Sequence, residues 1–518
     1  MSRTSSASRE GPNPSLARRG RSLTHDLPGR LRRALFLTHR WLGVALALLM
    51  VLWAASGIVM MYVAYPETTA QERLAGLEPI DMAQCCAALP ELDGVNRAAV
   101  EMLDGRPVLQ ASTDFGAMTI DLTTGVSPMI DVEMARRIAS THMARSTGAS
   151  PAWDVRETAQ DQWTVSGEFA AHAPLYKAEA RDAAGATLYV SGSTGQVVQD
   201  TTRAERFWNW LGAVPHWLYF KLLRENGQLW TQLVIYASLL GTFLTAIGLY
   251  IGVIRIRAGK RWSPYRGMDW WHHVTGLVFG VLTLTWVVSG LFSMNPWGMM
   301  ASEGSARERA ALAGRQATQD DVRALVEALA AAPSNGSVRA ELSIQGGEAH
   351  AILSEPSGLR RRVSLPDLAA APLTRDELDA LAGRARAGAE VASARLITAE
   401  DAYYYAHHNP VTLPAWRVIY ADSDRTRLYF DPRTGELVRF ADGGAQAFRW
   451  WHSALHSLDF ASVLRLRPVW DIVVLPLMIG VTVLCLIGLW LGVRRLVRTV
   501  RRTRVRKTFG QQLGEARS

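Results

Sequence analysis

The chain of 518 residues carries 56 Lys and Arg residues against 47 Asp and Glu residues, a formal net charge of +9, and 48% of its residues are apolar. This composition excludes a disordered chain and a collagen. Three cysteines, two of them adjacent (Cys85 and Cys86), cannot form a disulfide framework or a four-thiolate metal site. Because adjacent cysteines form a strained disulfide, the sequence favours two thiols at that position.

Four apolar segments are long enough to cross a hydrocarbon core of about 30 Å as helices. The sequence predicts membrane spans at residues 34–63, 229–254, 271–294 and 469–493. The first span follows a basic tail at residues 1–33 and resembles a secretory signal. Its apolar run is too long for a signal peptide and no clear cleavage site follows, so we expect a retained anchor.

Basic residues flank these spans in three clusters. They lie in the tail 1–33, in the short loop 255–270 and in the tail 494–518. The positive-inside rule places all three clusters in the cytoplasm, so both termini lie inside and the connections 64–228 and 295–468 lie outside. Since the clusters adjoin spans, they indicate topology and contacts with anionic lipids rather than nucleic-acid binding. The cluster members are Arg18, Arg19, Arg21, Arg30, Arg32 and Arg33; Arg255, Arg257, Lys260, Arg261 and Arg266; and Arg494, Arg495, Arg498, Arg501, Arg502, Arg504, Arg506 and Lys507.

The two halves of the chain resemble each other without gaps. An offset of 240 residues aligns T-L-Y-V-S-G-S-T-G-Q-V-V with R-L-Y-F-D-P-R-T-G-E-L-V, His216 with His456, and I-G-L-Y-I-G-V with I-G-L-W-L-G-V. An offset of 233 aligns His39 with His272, Trp53 with Trp286, and Ser56-Gly57 with Ser289-Gly290. The sequence therefore predicts a four-helix transmembrane bundle built from two parallel repeats, related by a pseudo-two-fold axis along the membrane normal.

Each external connection reads as a small α+β module with an antiparallel sheet. Helical patterns at 131–145 and 374–386 precede runs of alternating apolar residues with hairpin signals, and Gly435 stands where a turn needs a positive φ. The segments 301–340 and 366–395 are rich in Ala, Arg and Glu, and we expect them to form exposed helices or loops.

Histidines at the ends of spans are candidates for function, because ionisable groups there are costly. His39, His272 and His273 lie near the cytoplasmic face, and His216, His456 and His452 lie near the external face. A single such histidine is better explained as a polar residue of an interfacial aromatic belt. Two histidines at matched positions instead face each other across the axis. Zinc normally requires about four ligands, whereas haem iron requires two axial ones, so the pattern favours bis-histidine haem.

Small residues in the first and third spans leave one side of each helix without bulk. Gly43, Gly276 and Gly280 belong to this set, which is explained equally by close helix packing or by room for a macrocycle. Trp53 and Trp286 lie about 21 Å along the helices from His39 and His272, where they could pack beside a macrocycle or fill the bundle.

These motifs resemble the PepSY-associated transmembrane family. They are H-R-W-L-G with W-A-A-S-G, H-H-V-T-G with W-V-V-S-G-L-F-S-M, the L-Y-F-D-P-R-T-G-E-L-V hairpin, and W-H-S-A-L-H-S-L-D-F before the last span. The resemblance covers roughly residues 30–500 and includes iron-regulated inner-membrane proteins and ferric-siderophore reductases. It implies a bacterial inner-membrane protein with two periplasmic PepSY-like domains. It also implies b-type haem, two groups per chain, bound through His39, His272, His216 and His456.

Within this resemblance, electrons would pass from the inner to the outer haem and reduce a ferric siderophore or chelate. Some relatives carry a flavin domain; we expect none in this chain, so the donor would be a separate cytoplasmic protein or quinol. Tyr403, Tyr404, Tyr405, His407 and His408 are candidates for contact with the chelate, although a plain surface is favoured for them. The alternative function is a haem-free PepSY membrane sensor or interaction protein. A transporter is disfavoured, because the spans carry no charged residue at their midplane.

Overall fold

A computed structural model describes residues 28–259, 261–406 and 411–515 of the chain, with side chains as far as Arg501. Several predicted features lie outside these residues. They are the basic residues before position 28, Lys260, His407 and His408, and the side chains of the basic tail from Arg502 onward.

Fourteen strands and fourteen α-helices are formed in the described part. The helices are α1 (Gly29–Met60), α2 (Ala70–Ala75), α3 (Val132–Thr147), α4 (Arg203–Leu211), α5 (Ala213–Trp217), α6 (Lys221–Arg224), α7 (Gly227–Ile254), α8 (Met268–Ser293), α9 (Ala306–Ala313), α10 (Gln319–Ala331), α11 (Arg375–Ala385), α12 (Gly443–Phe448), α13 (Leu455–Ser457) and α14 (Val469–Glu515). The strands are β1 (Val95–Leu103), β2 (Arg106–Thr113), β3 (Gly116–Asp121), β4 (Trp153–Thr158), β5 (Leu175–Ala180), β6 (Thr187–Ser191), β7 (Val197–Thr201), β8 (Arg339–Gln345), β9 (Glu348–Ser354), β10 (Arg360–Ser364), β11 (Val391–Ile397), β12 (Ala415–Tyr420), β13 (Arg427–Phe430) and β14 (Leu437–Ala441). Three 3₁₀ turns (Gly167–His172, Pro296–Gly298 and Ser462–Arg465) and one π turn (Arg449–Ala454) complete the described elements.

Four of these helices are long and apolar enough to cross a membrane: α1, α7, α8 and the part of α14 up to Arg501. They correspond to the four predicted spans. Helix α1 packs along α14 and α7, and α8 packs along the same two helices. The four helices therefore form a ring in which α1 and α8 lie diagonally opposite.

Three antiparallel sheets lie outside this bundle. Strands β4 to β7 form one four-stranded sheet and β11 to β14 another, each with its strands in chain order. The third sheet has six strands in the order β10-β9-β8-β1-β2-β3, so both connections contribute three strands to it. Its central pair joins β1 to β8 through Ala99 with Glu341, Val100 with Ala340, and Glu101 with Arg339. The sequence predicted one module for each connection and did not predict this shared sheet, because no local pattern specifies a strand partner far along the chain.

Helices cover the inner faces of the sheets. Helix α3 packs on the β4 to β7 sheet, and α11 packs on the β11 to β14 sheet. Helix α10 buries Val322, Leu325 and Leu329 against the six-stranded sheet. The expectation of an exposed segment at 301–340 was therefore wrong for α10. Its apolar residues recur at intervals of three and four, which is the pattern of a helix with one buried face.

Two local predictions outside the bundle concern the glycines of the hairpin turns and the adjacent cysteines. Gly195 and Gly435 both have φ of +73°, which confirms the predicted turn after β13 and shows an equivalent turn after β6. Cys85 and Cys86 are joined by a disulfide, contrary to the expectation of two thiols. Cys85 also packs at the edge of the core of the six-stranded sheet.

Candidate functional site

The first histidine pair lies at the arginine-rich end of the four-helix bundle. His39 on α1 and His272 on α8 point toward each other from opposite corners of the ring, and their ring centroids are 6.3 Å apart. Two bonds of about 2 Å from histidine nitrogens to one metal ion, plus about 1 Å from each nitrogen to its ring centre, add to about 6 Å. The spacing would thus allow the two rings to hold a single metal ion between them.

A cavity of about 490 Å³ adjoins this pair. Its volume falls within the range of about 300–1,000 Å³ that is usual for ligand sites. Seven glycines contribute to its wall: Gly43, Gly248, Gly252, Gly276, Gly280, Gly488 and Gly492. A methyl group at Gly248 would lie 2.7 Å from Cε1 of His39, and one at Gly488 would lie 3.5 Å from Cε1 of His272. The observed position of His39 therefore requires a glycine at position 248 of α7.

Hydrogen bonds orient the rings of this pair unequally. Nδ1 of His39 lies 3.2 Å from the Leu244 carbonyl oxygen, which can only accept, so Nδ1 carries the proton and Nε2 is left with its lone pair. Such a bond to the second ring nitrogen is usual for histidines that bind metals. Nδ1 of His272 is buried without a hydrogen-bond partner among the described residues. No described residue thus competes with a ligand for that nitrogen.

His273, also predicted as a candidate ligand, is held in a different way. Its Nδ1 lies 2.8 Å from the Ser263 hydroxyl, and its Nε2 lies 2.8 Å from the Gly252 carbonyl oxygen. Both ring nitrogens therefore have partners that tie α8 to the end of α7. The histidine lines the cavity but has no nitrogen left for a metal.

The second histidine pair lies at the other end of the bundle. His216 on α5 and His456 on α13 have ring centroids 6.0 Å apart. Their short helices end in the same way, because Leu218 and Leu458 have φ of +54° and +56°. A hydrogen bond also joins the end of each short helix to the long helix that follows it. Nε1 of Trp230 donates to the Trp217 carbonyl (2.8 Å), and Nε1 of Trp470 donates to the Ser457 carbonyl (2.6 Å).

Serines from the long helices orient the rings of His216 and His456, the outer pair. Ser56 on α1 donates to the Leu52 carbonyl (2.5 Å), and its oxygen lies 3.1 Å from Nδ1 of His216. Ser289 on α8 donates to the Trp286 carbonyl (3.0 Å), and its oxygen lies 3.0 Å from Nδ1 of His456. Each serine proton is committed to a carbonyl, so each serine accepts from the histidine. Nε2 of both rings is then the nitrogen with a lone pair.

Sequence reasoning found these serines only as small residues matched at an offset of 233. The motif W-x-x-S-G in both spans was the available signal. Both halves repeat a serine within a predicted span and a histidine beside another span. This repetition could have indicated that the serine is a hydrogen-bond partner of the histidine.

A third imidazole joins the outer pair. His452 lies in the π turn, where its Nδ1 is 2.9 Å from the Ser289 carbonyl oxygen and its ring is 5.3 Å from that of His456. The equivalent residue in the first half is Gly212. π turns occur frequently at functional sites. The two ends of the bundle thus differ, because at this end a third ring packs directly on the pair, His452 on His456.

The loop with the three predicted tyrosines packs on the π turn. Tyr404 is buried and stacks on Tyr429 at 4.8 Å between ring centroids. Tyr405 lies under the guanidinium of Arg449 at 4.6 Å. Tyr403 accepts a hydrogen bond from Nε1 of Trp450 (3.1 Å). Tyr403 and Tyr405 therefore hold the loop against the π turn that bears His452, whereas Tyr404 anchors it on the β11 to β14 sheet.

Metal sites built from three or more protein side chains were also sought among the described residues. Within residues 28–259, 261–406 and 411–515, no group of three or more His, Cys, Asp and Glu side chains is arranged to hold a metal ion. A zinc site of three or four protein ligands is thus not formed there, whereas pairs of histidines are.

The sequence was also compared with known proteins. The family described as PepSY-associated TM region matches residues 36–354. This match covers 354 − 36 + 1 = 319 of the 518 residues. The chain belongs to this family. The family assignment made from the motifs is confirmed, and with the four apolar helices it makes the chain a membrane protein. The match contains His39, His216 and His272, and it ends at the last residue of β9. A comparison with curated proteins finds no match.

Proposed function

We propose that the chain carries electrons across a bacterial inner membrane through two bis-histidine haem groups and reduces a ferric siderophore or similar chelate on the outer side. The observation that supports this most is the presence of two histidine pairs, 6.3 and 6.0 Å between ring centroids, at opposite ends of one bundle. When bound, haem would supply a one-electron Fe(III)/Fe(II) couple at each pair.

The positions of the two pairs suit transfer across the membrane. His39 and Ser56, the partner of His216, are 17 residues apart on α1, which is about 26 Å at 1.5 Å per residue. A hydrocarbon core is about 30 Å thick, so the pairs would lie near its two edges. The arginines beside the His39 end support a cytoplasmic position for that end, by the positive-inside rule.

Matched contacts in the two halves support the proposed repeat. Tyr189 donates to Asp161 (2.7 Å), and Tyr429 donates to Asp401 (3.0 Å), at an offset of 240 residues. The serine contacts of the outer histidines are matched as well. An evolutionary duplication would explain why both axial positions of each site come from equivalent residues. The two-repeat architecture and its PepSY-like external domains are part of this proposal.

The residues of the chain have separate parts in this function. His39 and His272 would hold the inner group, and His216 and His456 the outer one. For His39, His216 and His456, the serine and carbonyl partners fix Nδ1–H and so keep Nε2 unprotonated. The apolar helices exclude water between the two layers. Reduction of a ferric chelate outside weakens it, because hard oxygen ligands prefer Fe(III), and the iron leaves as Fe(II). Electrons would come from a separate cytoplasmic or quinol donor.

The test is the visible spectrum of the purified full-length chain, supplied with haem during expression. We expect two low-spin haem groups per chain in the wild type, one in His39→Ala, one in His456→Ala, and none in the double variant. His172→Ala is the control, because His172 lies in the external part and bonds Ser191 (3.2 Å). It should retain both groups. A folded, haem-supplied wild type without a Soret band would overturn the proposal and favour the haem-free sensor.

A further inference from the structure

The inner cavity carries an excess of positive charge. Four arginines line it: Arg40 on α1, and Arg494, Arg495 and Arg498 on α14. Asp269 is the one carboxylate among its described lining residues. None of the four arginines pairs with a carboxylate in the part of the chain with described side chains. Nε of Arg495 is buried without a hydrogen-bond partner among those residues.

This charge lies on one side of the cavity only. An offset of 240 residues relates Arg495 to Arg255, whose guanidinium lies 4.5 Å over the Phe36 ring and which does not line the cavity. An offset of 233 relates Arg40 to His273, whose ring nitrogens bond Ser263 and Gly252. Nε of Arg255 is, like that of Arg495, buried without a hydrogen-bond partner among the described residues. The two sides differ in where the charge lies, because Arg40 and Arg495 line the cavity, whereas Arg255 packs on Phe36.

Arg495 is half-buried at the edge of an apolar cavity with an unpartnered Nε, and such a cation is unfavourable unless an anion accompanies it. Arginine binds carboxylate with two parallel hydrogen bonds, a geometry that lysine cannot provide. A ligand of this cavity should thus carry anionic groups on one edge. The proposed haem group has such an edge, formed by its two propionates.

Resting on the proposed function, we propose that Arg40 and Arg495 bind the propionates of the inner haem and orient them toward the α1 and α14 side. Arg494 contributes less, because its guanidinium lies 5.0 Å over the Trp490 ring. Arg40 and Arg498 are both exposed at the rim. Arg40 adjoins His39 in the chain, and Arg498, one turn beyond Arg495 on α14, adds long-range attraction. The phosphate of an anionic lipid presents similar chemistry, and the experiment separates the two sources.

The experiment uses the full-length chain in nanodiscs, in a His456→Ala background that leaves only the inner site. Each protein is stripped of haem and titrated with haem or with haem dimethyl ester, which lacks the carboxylates. The parent should bind haem at least tenfold more tightly than the ester. The variant R40Q/R495Q should lose that preference by weakening for haem alone, and R40K/R495K should keep part of it. The matched control R255Q should behave as the parent.

Four outcomes are distinguished. Loss of the preference in R40Q/R495Q but not in R255Q supports the inference. Equal weakening for haem and the ester overturns it, because the arginines would then serve only the fold. Unchanged haem binding in R40Q/R495Q, together with weaker retention of phosphatidylglycerol than in the parent, also overturns it and assigns the arginines to lipid. No Soret band in the parent supplied with haem would instead be a failure of the proposed function itself.

Discussion

Single atoms decide whether the histidines of this protein can serve as ligands. A serine hydroxyl at Ser56 or Ser289 is already donating to a carbonyl, so it can only accept from the neighbouring ring. That arrangement fixes the tautomer of His216 and His456 without any charged partner. At the other end of the bundle, a backbone carbonyl does the same for His39.

The glycine beside His39 gives a prediction with a matched comparison. In Gly248→Ala the new methyl would lie 2.7 Å from Cε1 of His39, so the ring must move; in Gly488→Ala it would lie at an ordinary 3.5 Å from Cε1 of His272. We expect Gly248→Ala to lose most of the haem proposed for the inner site and Gly488→Ala to lose much less, measured as haem per protein after purification. Equal haem content in the two variants would contradict the geometry of the His39 contact.

Two buried groups outside the bundle make stability depend on pH in opposite directions. Burial lowers the pKa of His142 from 6.5 to about 4, and burial raises the pKa of Asp200 from 3.8 to about 6. As pH falls from 6.5 to 4 the unfolded chain protonates His142 more readily, so this group costs stability. As pH falls from 6 to 4 the folded chain protonates Asp200 more readily, so this group adds stability.

We therefore expect His142→Gln to lose less thermal stability than the wild type between pH 7 and pH 5, and Asp200→Asn to lose more. Each effect should be on the order of 2 kcal/mol at pH 5 or below. Unfolding temperatures of the two variants and the wild type in detergent, at both pH values, measure this. The idea fails if both variants respond to pH as the wild type does.

At the scale of elements, the π turn Arg449–Ala454 positions the outer histidines of the second half. Arg449 reaches from this turn to Asp459, with Nη1 2.9 Å from Oδ1, and both side chains are almost fully buried. Its Nε also donates to the Ala402 carbonyl (2.8 Å), so one side chain joins the turn, the tyrosine loop and the segment after α13. At an offset of 240 the first half has the uncharged Asn209 instead.

Removing Arg449 should leave the Asp459 carboxylate buried without its cation, at a cost of about 3–5 kcal/mol. We expect Arg449→Ala to lose the outer haem while it retains the inner one. Asn209→Ala is the matched comparison: it loses neutral hydrogen bonds to the Ala64 and Glu205 carbonyls and should cost about 1–3 kcal/mol. The spectrum and the unfolding temperature measure both. A smaller loss in Arg449→Ala than in Asn209→Ala would refute the argument.

At the scale of the whole molecule, the six-stranded sheet holds the two connections together. The turns Asp104-Gly105 and Gly346-Gly347 are equivalent at an offset of 242, so Ala99 is the equivalent of Glu341. These two residues are paired directly in the sheet. The proposed pseudo-two-fold axis would pass through this pair, in line with the bundle. Glu101 and Arg339 form an ion pair beside it.

This pairing predicts a specific cross-link. Partners in an antiparallel pair have Cα atoms about 4.5–5.5 Å apart, within the range of a disulfide. In a chain without its native cysteines, Ala99→Cys with Glu341→Cys should oxidise readily, whereas Ala99→Cys with Ser343→Cys, displaced by two residues along β8, should not. Cleavage at a protease site inserted in the loop 255–267 and a non-reducing gel reveal the link. Equal linking of both pairs would argue against this register.

The sequence alone determined the four apolar helices, the family, the hairpins and the residues matched between the halves, because hydropathy, turn chemistry and repetition are local or periodic signals. It also selected His39, His216, His272 and His456 as the residues to examine. Only the tertiary structure decided which nitrogen of each ring has a partner, since that depends on Ser56, Ser289 and the Leu244 carbonyl from other helices. The same holds for the shared sheet, the buried face of α10 and the one-sided arginines of the cavity. Contacts between residues far apart in the chain are specified by packing, and no local pattern encodes them.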